Sequence, residues 1–574
     1  MSEKINGSEA LMKGLIAEGV DRVFGYPGGA IMPVYDKLYS YSDRILHVLT
    51  RHEQGAIHAA QGYARVSGKV GVVIVTSGPA ATNVITGLSD ALMDSTPLVV
   101  ITGQVGSALL GSDAFQETDV VGITQPITKW AYQIRRPEDV AYALARAFYI
   151  ARTGRPGPVV LDFTKDAQTG FTDWNYKRCD FIRSYIPVPE LRQDDLLTVA
   201  NLINASERPM ILSGQGVMIS GAEKELAAVA EKCDIPVAAT LLGLSTMPSS
   251  HPLYKGMLGM HGNIGPNVNT NRADLLIAVG MRFDDRVTGD TSKYAPQAKI
   301  IHIDIDASEF NKNIKTDARI HGDAKEALTA LLPLLKERKH TEWLASFEEP
   351  ERVEAERCMK RELYPQDCGD AMRMGEVAMK VAEATGNRAI LVTDVGQNQM
   401  MSARYFRYTD PKSIITSGGL GTMGFGLPAA IGAKMGAPER TVCFFTGDGG
   451  LQMTMQELGT IMEYGTAVKI ILCNNNFLGN VRQWQALFFG GRFSQTPMVN
   501  PDFVMICKAY GIPGENVEKR EQLDGAIGRM LASEGSYLIN VNIDEKDMVF
   551  PMTVAGRPVD EILLNPDEYY PLNK

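Results

Sequence analysis

Residues 441–450 read TVCFFTGDGG and residues 468–476 read VKIILCNNN, and these two stretches decide the fold. Each opens as an apolar run of strand length, 442–445 and 468–472. Such runs fit strands buried on both faces of a parallel sheet. Each ends in a polar cluster, and α/β sheets bind ligands at the C-terminal ends of their strands. Asp448 offers a carboxylate there and Asn475 a side-chain carbonyl. Hard oxygen ligands suit magnesium, which is usually shared with phosphate oxygens. Gly447, Gly449 and Gly450 let the backbone come close to a diphosphate. A GDG alone reads equally well as a bare turn. The second strand and its asparagines at this distance make a diphosphate–metal pattern.

The same rhythm of strand, glycine turn and helix runs outward through the chain. GVVIVTSGP (71–79), PLVVITGQV (97–105) and GPVVLDF (157–163) are strands of the first third. PMILSGQG (209–216), ADLLIAVG (273–280) and KIIHIDID (299–306) follow in the middle. AILVTDVGQ (389–397), SIITSGG (413–419) and YLINVNID (537–544) join the opening pair in the last third. Strands alternating with helical patterns imply doubly wound parallel sheets. The chain's 574 residues exceed one core. Three α/β domains are expected, at 1–180, 190–345 and 365–550, with 551–574 as an extended tail. The charged stretch SFEEPERVEAERCMKRE (346–362) reads as a solvated helix or linker.

A formal net charge of −10 argues against a nucleic-acid footprint. No apolar run approaches the roughly 20 residues of a membrane helix. The N-terminus lacks a signal-peptide core, and seven scattered cysteines without a CxxC fit a reducing cytoplasm. A soluble, cytoplasmic protein acting on small molecules is expected.

Four further segments carry chemistry. Glu53 lies in LTRHEQGAIHAAQGYAR (49–65), where an acid at a helix start needs no more than the dipole to explain it. FGYPGGAIMPVYD (24–36) turns from strand to helix through Pro27, Gly28 and Gly29. SGGLGTMGFGLP (417–428) is the densest glycine run, and a fixed turn into a helix there exposes N–H groups that suit phosphate. GMRFDDRVTGD (280–290) follows a strand as a charged loop.

Taken together these strings resemble the thiamine-diphosphate enzymes, and the acetohydroxyacid synthase family in particular. YPGGA, RHEQGA, ITGQV, AFQETD, GRPGPV, LGMHG, RFDDRVTG, IHIDID, SGGLGTMG, GDGG-LQMTMQEL and RQWQ occur in that family's order along essentially the whole chain. The resemblance implies a pyrimidine-binding, a central FAD-binding and a diphosphate-binding domain. Its metal would be held by Asp448, Asn475 and the main-chain carbonyl of Phe477. The diphosphate and thiazolium would meet Val395, Gly396, Gln397, Asn398, Gly421, Met423, Gly447, Gly449, Gly450, Leu478 and Gly479, with Met423 as the wedge that bends the cofactor. Glu53 would share a proton with the aminopyrimidine and so activate the cofactor. Pro27 and Gly29 would approach the same ring, and Gln116 and Phe115 would line the substrate pocket. Arg286 would bind the carboxylate of the incoming 2-ketoacid. Trp484 would favour 2-ketobutyrate over pyruvate as acceptor. FAD would lie against Arg155, Gly214, Gln215, Gly216, Thr240, Leu241, Leu242, Met260, His261, Gly280, Arg282, Asp304, Ile305 and Asp323.

The implied reaction decarboxylates pyruvate and joins the two-carbon fragment to pyruvate or 2-ketobutyrate, giving 2-acetolactate or 2-aceto-2-hydroxybutyrate for branched-chain amino-acid synthesis. No step needs net redox. The family also implies a homodimer or a pair of dimers, with sites between chains, and a separate regulatory small subunit. The chain departs from the family at Gly106 for proline, Thr164 for proline, Asn398 for histidine, Asn480 for methionine or leucine, and Asn476-Phe477 for an acidic start. Pyruvate oxidase and the flavin-independent acetolactate synthase are the rival enzymes. RFDDRVTG argues against the second, and Gln116 with Arg286 and Trp484 against the first. Glyoxylate carboligase has an apolar residue where this chain has Glu53. A non-catalytic scaffold would not need Glu53, Asp448 and Asn475.

Overall fold

The computed structural model describes residues 4–365 and 367–570. It contains three six-stranded sheets in which every strand pairing is parallel. The first runs β3-β2-β4-β5-β7-β6, from β2 (Arg22–Tyr26), β3 (Leu46–Leu49), β4 (Gly71–Val75), β5 (Leu98–Gln104), β6 (Trp130–Ile134) and β7 (Pro158–Thr164). The strands β1 (Lys4–Asn6) and β8 (Phe171–Asp173) pair antiparallel beside it. The second runs β11-β10-β9-β12-β13-β14, from β9 (Pro209–Ser213), β10 (Val237–Ala239), β11 (Tyr254–Met257), β12 (Leu275–Val279), β13 (Lys299–Asp304) and β14 (Ala318–His321). The third runs β16-β15-β17-β18-β20-β19, from β15 (Ile390–Thr393), β16 (Ile414–Ile415), β17 (Val442–Gly447), β18 (Val468–Asn474), β19 (Gly514–Val517) and β20 (Tyr537–Asn542).

Each central strand is buried on both faces, as its unbroken apolar run requires, and each sheet has a separate apolar cluster on either side. Every expected strand is present. The shorter ones, such as β3, β10 and β14, carry too few apolar residues to stand out from their flanks.

Strand order reverses near the middle of each sheet, between β2 and β4, between β9 and β12, and between β15 and β17, and the first and third sheets also interchange their last two strands, β7-β6 and β20-β19. A crevice opens at the carboxyl ends of strands where the order reverses. The three pairs of turns at these points are 27–29 with 76–78, 214–216 with 280–282, and 394–398 with 447–450.

The first and third sheets meet through two helices, Glu53–Ser67 and Gly426–Gly436. Glycine lets their backbones touch. A methyl on Gly62 would sit 2.0 Å from the Ala429 carbonyl oxygen, and one on Gly432 would sit 1.8 Å from that of Ala59.

Two expectations are corrected. The stretch expected as an extended tail folds into an antiparallel sheet, β21 (Met552–Thr553), β22 (Ile562–Asn565) and β23 (Glu568–Tyr570); residues 571–574 lie outside the described residues. Its apolar residues Ile562, Leu563, Leu564 and Tyr570 share a core with Ile264, Val353 and Cys358. The stretch read as a solvated helix or linker is indeed helical through Leu363, with a π-helical turn at Ala355–Met359, but one face of it is buried and closes that same core. Its charges hide the burial because they are paired. Glu354 is buried, ion-pairs with Arg404, and accepts from Asn263 Nδ2 and Ile264 N at 2.6 Å each.

Candidate active site

The pairing of β17 with β18 runs in register from Val442–Val468 to Gly447–Cys473. It brings Asp448 and Asn475 to one edge of the third sheet. Both are buried. Asp448 Oδ1 accepts from Gly449 N at 2.9 Å, and Oδ2 accepts from Asn500 Nδ2 at 2.7 Å. Burial pushes the Asp448 carboxyl above its ordinary value, a penalty that a cation would reverse. Asn475 Oδ1 accepts from Phe477 N at 3.2 Å, which folds 475–477 into a tight turn. Gln397, expected at the diphosphate, sits behind this turn. Its Oε1 accepts from Asn475 Nδ2 at 3.4 Å, while its Nε2 donates to Gln483 Oε1 at 3.1 Å and to Asp547 O at 3.0 Å. It therefore orients Asn475 with the oxygen outward. Among the described residues no cluster of three or more His, Cys, Asp or Glu could hold a metal by itself. A cation here would complete its shell with main-chain and phosphate oxygens, as magnesium does.

The surrounding turns fit such a ligand. Gly396 and Gly421 have φ of +108° and +71°, which favour glycine. A methyl on Gly450 would meet the Asp394 carboxylate at 2.7 Å, and one on Gly479 would meet Gln397 Oε1 at 2.1 Å. The Met423 methyl group lies 3.6 Å from the Cβ position of Gly449, between the glycine turn and the metal turn. Leu478 is fixed by its N–H on Thr496 O at 2.9 Å. Asn398 Nδ2 donates to Val395 O at 3.0 Å, and its buried Oδ1 has no partner among the described residues. An unpaired buried acceptor costs about 1–3 kcal/mol, which a ligand or ordered water would relieve.

A cavity of about 700 Å³ runs from the second sheet to this edge of the third. Of the residues expected at a flavin, all but Gly214 line it: Arg155, Gln215, Gly216, Thr240, Leu241, Leu242, Met260, His261, Gly280, Arg282, Asp304, Ile305 and Asp323. Gly214 backs the wall, with its Cβ position 2.2 Å from Gly280 O. His261 has both ring nitrogens buried without partners among the described residues. Burial first, then Arg404 and Arg286, lower its pKa to about 3, so a neutral ring with one donor and one acceptor faces the cavity. Two unsatisfied nitrogens, a tight pair of glycine turns and a cavity of this volume fit a dinucleotide. Arg155 is the exception in character, being already tied to Asp306 at 3.2 Å and Glu309 at 2.7 Å.

The same cavity is lined by Arg286 and Trp484, and by Val395, Gly396 and Gly421. Arg286 is half exposed, with its nearest carboxylate, that of Asp285, at 3.8 Å. Its guanidinium is open to an incoming acid. Trp484 stacks on Phe488 at 5.4 Å, which fixes the indole as a wall. Asn480, one turn before Trp484, also lines the cavity.

The remaining expected residues are elsewhere, on the ligand edge of the first sheet. Glu53 opens the helix Glu53–Ser67, and its Oε2 accepts from Asn83 Nδ2 at 2.9 Å. Pro27 and Gly29 follow β2, and nothing lies within 4 Å of a Cβ on Gly29. Gln116, at φ +60°, rests against Gly78 after β4, and Phe115 is 88% exposed. None of these five lines the cavity.

Sequence reasoning missed four residues that hold the site. They are Asn83 on Glu53, Asn500 on Asp448, Asp394 on the N–H groups of Val395, Gly424 and Gly426, and Asp94 on those of Gly418 and Gly419. Burial lifts the Asp394 carboxyl to about 6. Only the aspartate at the end of the β15 motif carried any local signal.

Comparison with known proteins agrees with this geometry. Residues 5–123 match the family "Thiamine pyrophosphate enzyme, N-terminal TPP binding domain", residues 196–331 its central domain, and residues 394–541 its C-terminal TPP binding domain. The chain is 44% identical over 566 residues to the acetolactate synthase large subunit of Lactococcus lactis, covering 98% of this chain and 97% of that one. It is 44% identical over 574 residues to the probable acetolactate synthase large subunit of Methanocaldococcus jannaschii, covering 97% and 95%. It is 40% identical over 576 residues to the acetolactate synthase isozyme 3 large subunit of Escherichia coli, covering 99% and 100%. With three matched domains and full-length relatives at this identity, the chain belongs to the acetolactate synthase large-subunit family of thiamine pyrophosphate enzymes.

Proposed function

We propose that this chain is the catalytic large subunit of an acetolactate synthase, which decarboxylates pyruvate and transfers the two-carbon unit to pyruvate or 2-ketobutyrate. One observation carries the reading. Arg286 and Trp484, from different sheets, face one cavity together with the glycine turns of the diphosphate edge. A bare thiamine site needs neither an open guanidinium nor an aromatic wall, whereas a carboligase must orient a second acid.

Bound thiamine diphosphate supplies a carbon nucleophile and an electron sink. Asp448, Asn475 and the Phe477 carbonyl would hold magnesium beside its diphosphate, and Met423 would support it from below. Glu53 holds the proton at the pyrimidine ring nitrogen, with Asn83 fixing the carboxylate. Arg286 orients the acceptor carboxylate, and Trp484 excludes water and fits the longer acceptor side chain. The residues lining the central cavity would hold FAD in a structural role, since the reaction has no net redox.

Glu53 and Gln116 lie off the cavity, so a second copy of the chain completes the site. Exposed apolar residues stand at both half-sites, with Met32, Leu109 and Phe115 on the first and Val481, Phe488 and Val499 on the third. A regulatory small subunit is a further partner of this reading, in keeping with the large-subunit names of the relatives. No helix among the described residues is long and apolar enough to cross a membrane.

The test is a direct assay of acetolactate from pyruvate, thiamine diphosphate and magnesium, with and without FAD. FAD-dependent product supports the reading. Product from flavin-free protein moves it to the flavin-independent enzyme. Carbon dioxide with peroxide and no acetolactate means an oxidase.

A further inference from the structure

Glu457 lies on the third sheet's side of the molecule, yet it closes on the loop that carries Glu53. Its two carboxylate oxygens both accept from Arg51 N, at 3.1 Å each. Its Oε2 also accepts from Thr460 Oγ1 at 2.7 Å. Its Oε1 fills the space of a missing side chain at Gly55, where a Cβ would lie 2.3 Å away. The carboxylate thus grips residues on either side of Glu53, at the positive end of the helix Glu53–Ser67. A second layer locks the grip. The Arg51 guanidinium donates to Leu49 O, Gly459 O and Glu463, and Tyr464 Oη accepts from Leu49 N at 2.8 Å.

Resting on the acetolactate synthase reading above, we propose that Glu457 is a positioning residue for Glu53, and that its ionised form sets the carboxylate of Glu53 for proton transfer. Glu457 touches neither the cavity nor the metal turn, so it acts only through the loop it holds. Its surroundings make the hold depend on pH. Burial raises its pKa to about 7, against the lowering effect of the hydrogen bonds from Thr460, Arg51 and His52 and of the Arg51 charge. The other groups facing it are His52, which caps the helix, and Glu463, which shares the Arg51 guanidinium at 2.8 Å. Protonation weakens the acceptor, so the loop loosens as pH falls through about 7.

The experiment compares wild type with E457Q and E457A. Glutamine keeps an acceptor for Arg51 N and can donate to Thr460, but it does not titrate. The first measurement is amide exchange of the peptide spanning 49–56 across pH 6 to 8.5, corrected for intrinsic rates. The expected result is protection that drops below pH 7 in wild type and, in E457Q, stays at that lowered level across the whole range. The second is kcat for acetolactate across the same range. The expected result is a kcat in E457Q that stays near the wild-type value at the acid end of the range and does not rise through pH 7. E457A should lose on the order of a hundredfold in kcat with little change in KM for pyruvate. Equal limbs and equal protection in wild type and E457Q overturn the proposal. So does an E457A enzyme that loses only thermal stability. A wild type that binds thiamine diphosphate but makes no acetolactate defeats the functional reading instead. The exchange data then decide the positioning claim alone.

Discussion

Asn500 shares its amide N–H groups among Asp448 Oδ2 at 2.7 Å, Asn474 Oδ1 at 3.0 Å and Asn476 Oδ1 at 3.1 Å. It therefore orients the metal carboxylate and ties it to the asparagine turn. N500A should weaken apparent magnesium affinity by about 10–100-fold, read from a magnesium titration of thiamine diphosphate binding. Trp484 lines the cavity as a wall, and its proposed role is in substrate choice rather than in chemistry. W484L should reduce the share of 2-aceto-2-hydroxybutyrate formed when pyruvate and 2-ketobutyrate compete; an unchanged product ratio would remove Trp484 from the pocket. Glu457 also affects folding, with the opposite sign to its effect on activity. Its folded-state pKa, about 7, lies above its unfolded value, so its contribution is full below about pH 4.5 and is lost as pH rises through 7. E457Q should gain stability over wild type across that window, by at most on the order of 3 kcal/mol, and should show no gain at pH 4 in thermal melts.

At the scale of elements, the glycine turn after β16 owes its shape to another domain. Asp94, fully buried, accepts from Gly418 N at 2.9 Å and Gly419 N at 2.7 Å and pairs with Arg65 at 2.9 Å. Asp90 takes the hydroxyl groups of Ser417 and Thr422 beside it. The helix Glu53–Ser67 supplies Arg65 as well as Glu53, so one element serves both the catalytic acid and the diphosphate turn. Asp94→Ala leaves the Arg65 charge buried and unpaired, a loss of about 3–5 kcal/mol. It should lower Tm and also weaken thiamine diphosphate binding; normal cofactor affinity in the folded variant would show that the turn holds its shape unaided. The charged stretch 346–362 is a helix, as its pattern allowed, but its expected full solvation was wrong for a related reason. Charge marks solvent only when its partners are also exposed, and the partner of Glu354 is the buried Arg404.

At the scale of the whole molecule, the proposed function places half-sites on the first and third sheets and so calls for a second chain. Dilution should therefore lower specific activity together with the fraction sedimenting as dimer, while FAD binding, confined to one chain's cavity, persists; constant specific activity in a verified monomer would contradict the shared site. The residue types of the chemistry were legible in the sequence, because apolar strands ending in glycine and oxygen ligands can be read locally. So were the three parallel sheets, since unbroken apolar runs of strand length demand burial on both faces. The supporting residues were not legible. Asn83, Asp94 and Glu457 each lie on helices or turns with ordinary composition, and Asn500 stands alone in an irregular loop. Strand order was equally hidden, because parallel strands separated by whole helices carry no local mark of their neighbours. The sequence by itself determined which turns carry the glycines and oxygen donors of the proposed site. The tertiary structure alone decided that β9 lies beside β12 and β15 beside β17, and so that the cavity at the second sheet opens onto the glycine turns of the third. The physical reason is that long-range packing, and not local propensity, chooses where each sheet reverses its order.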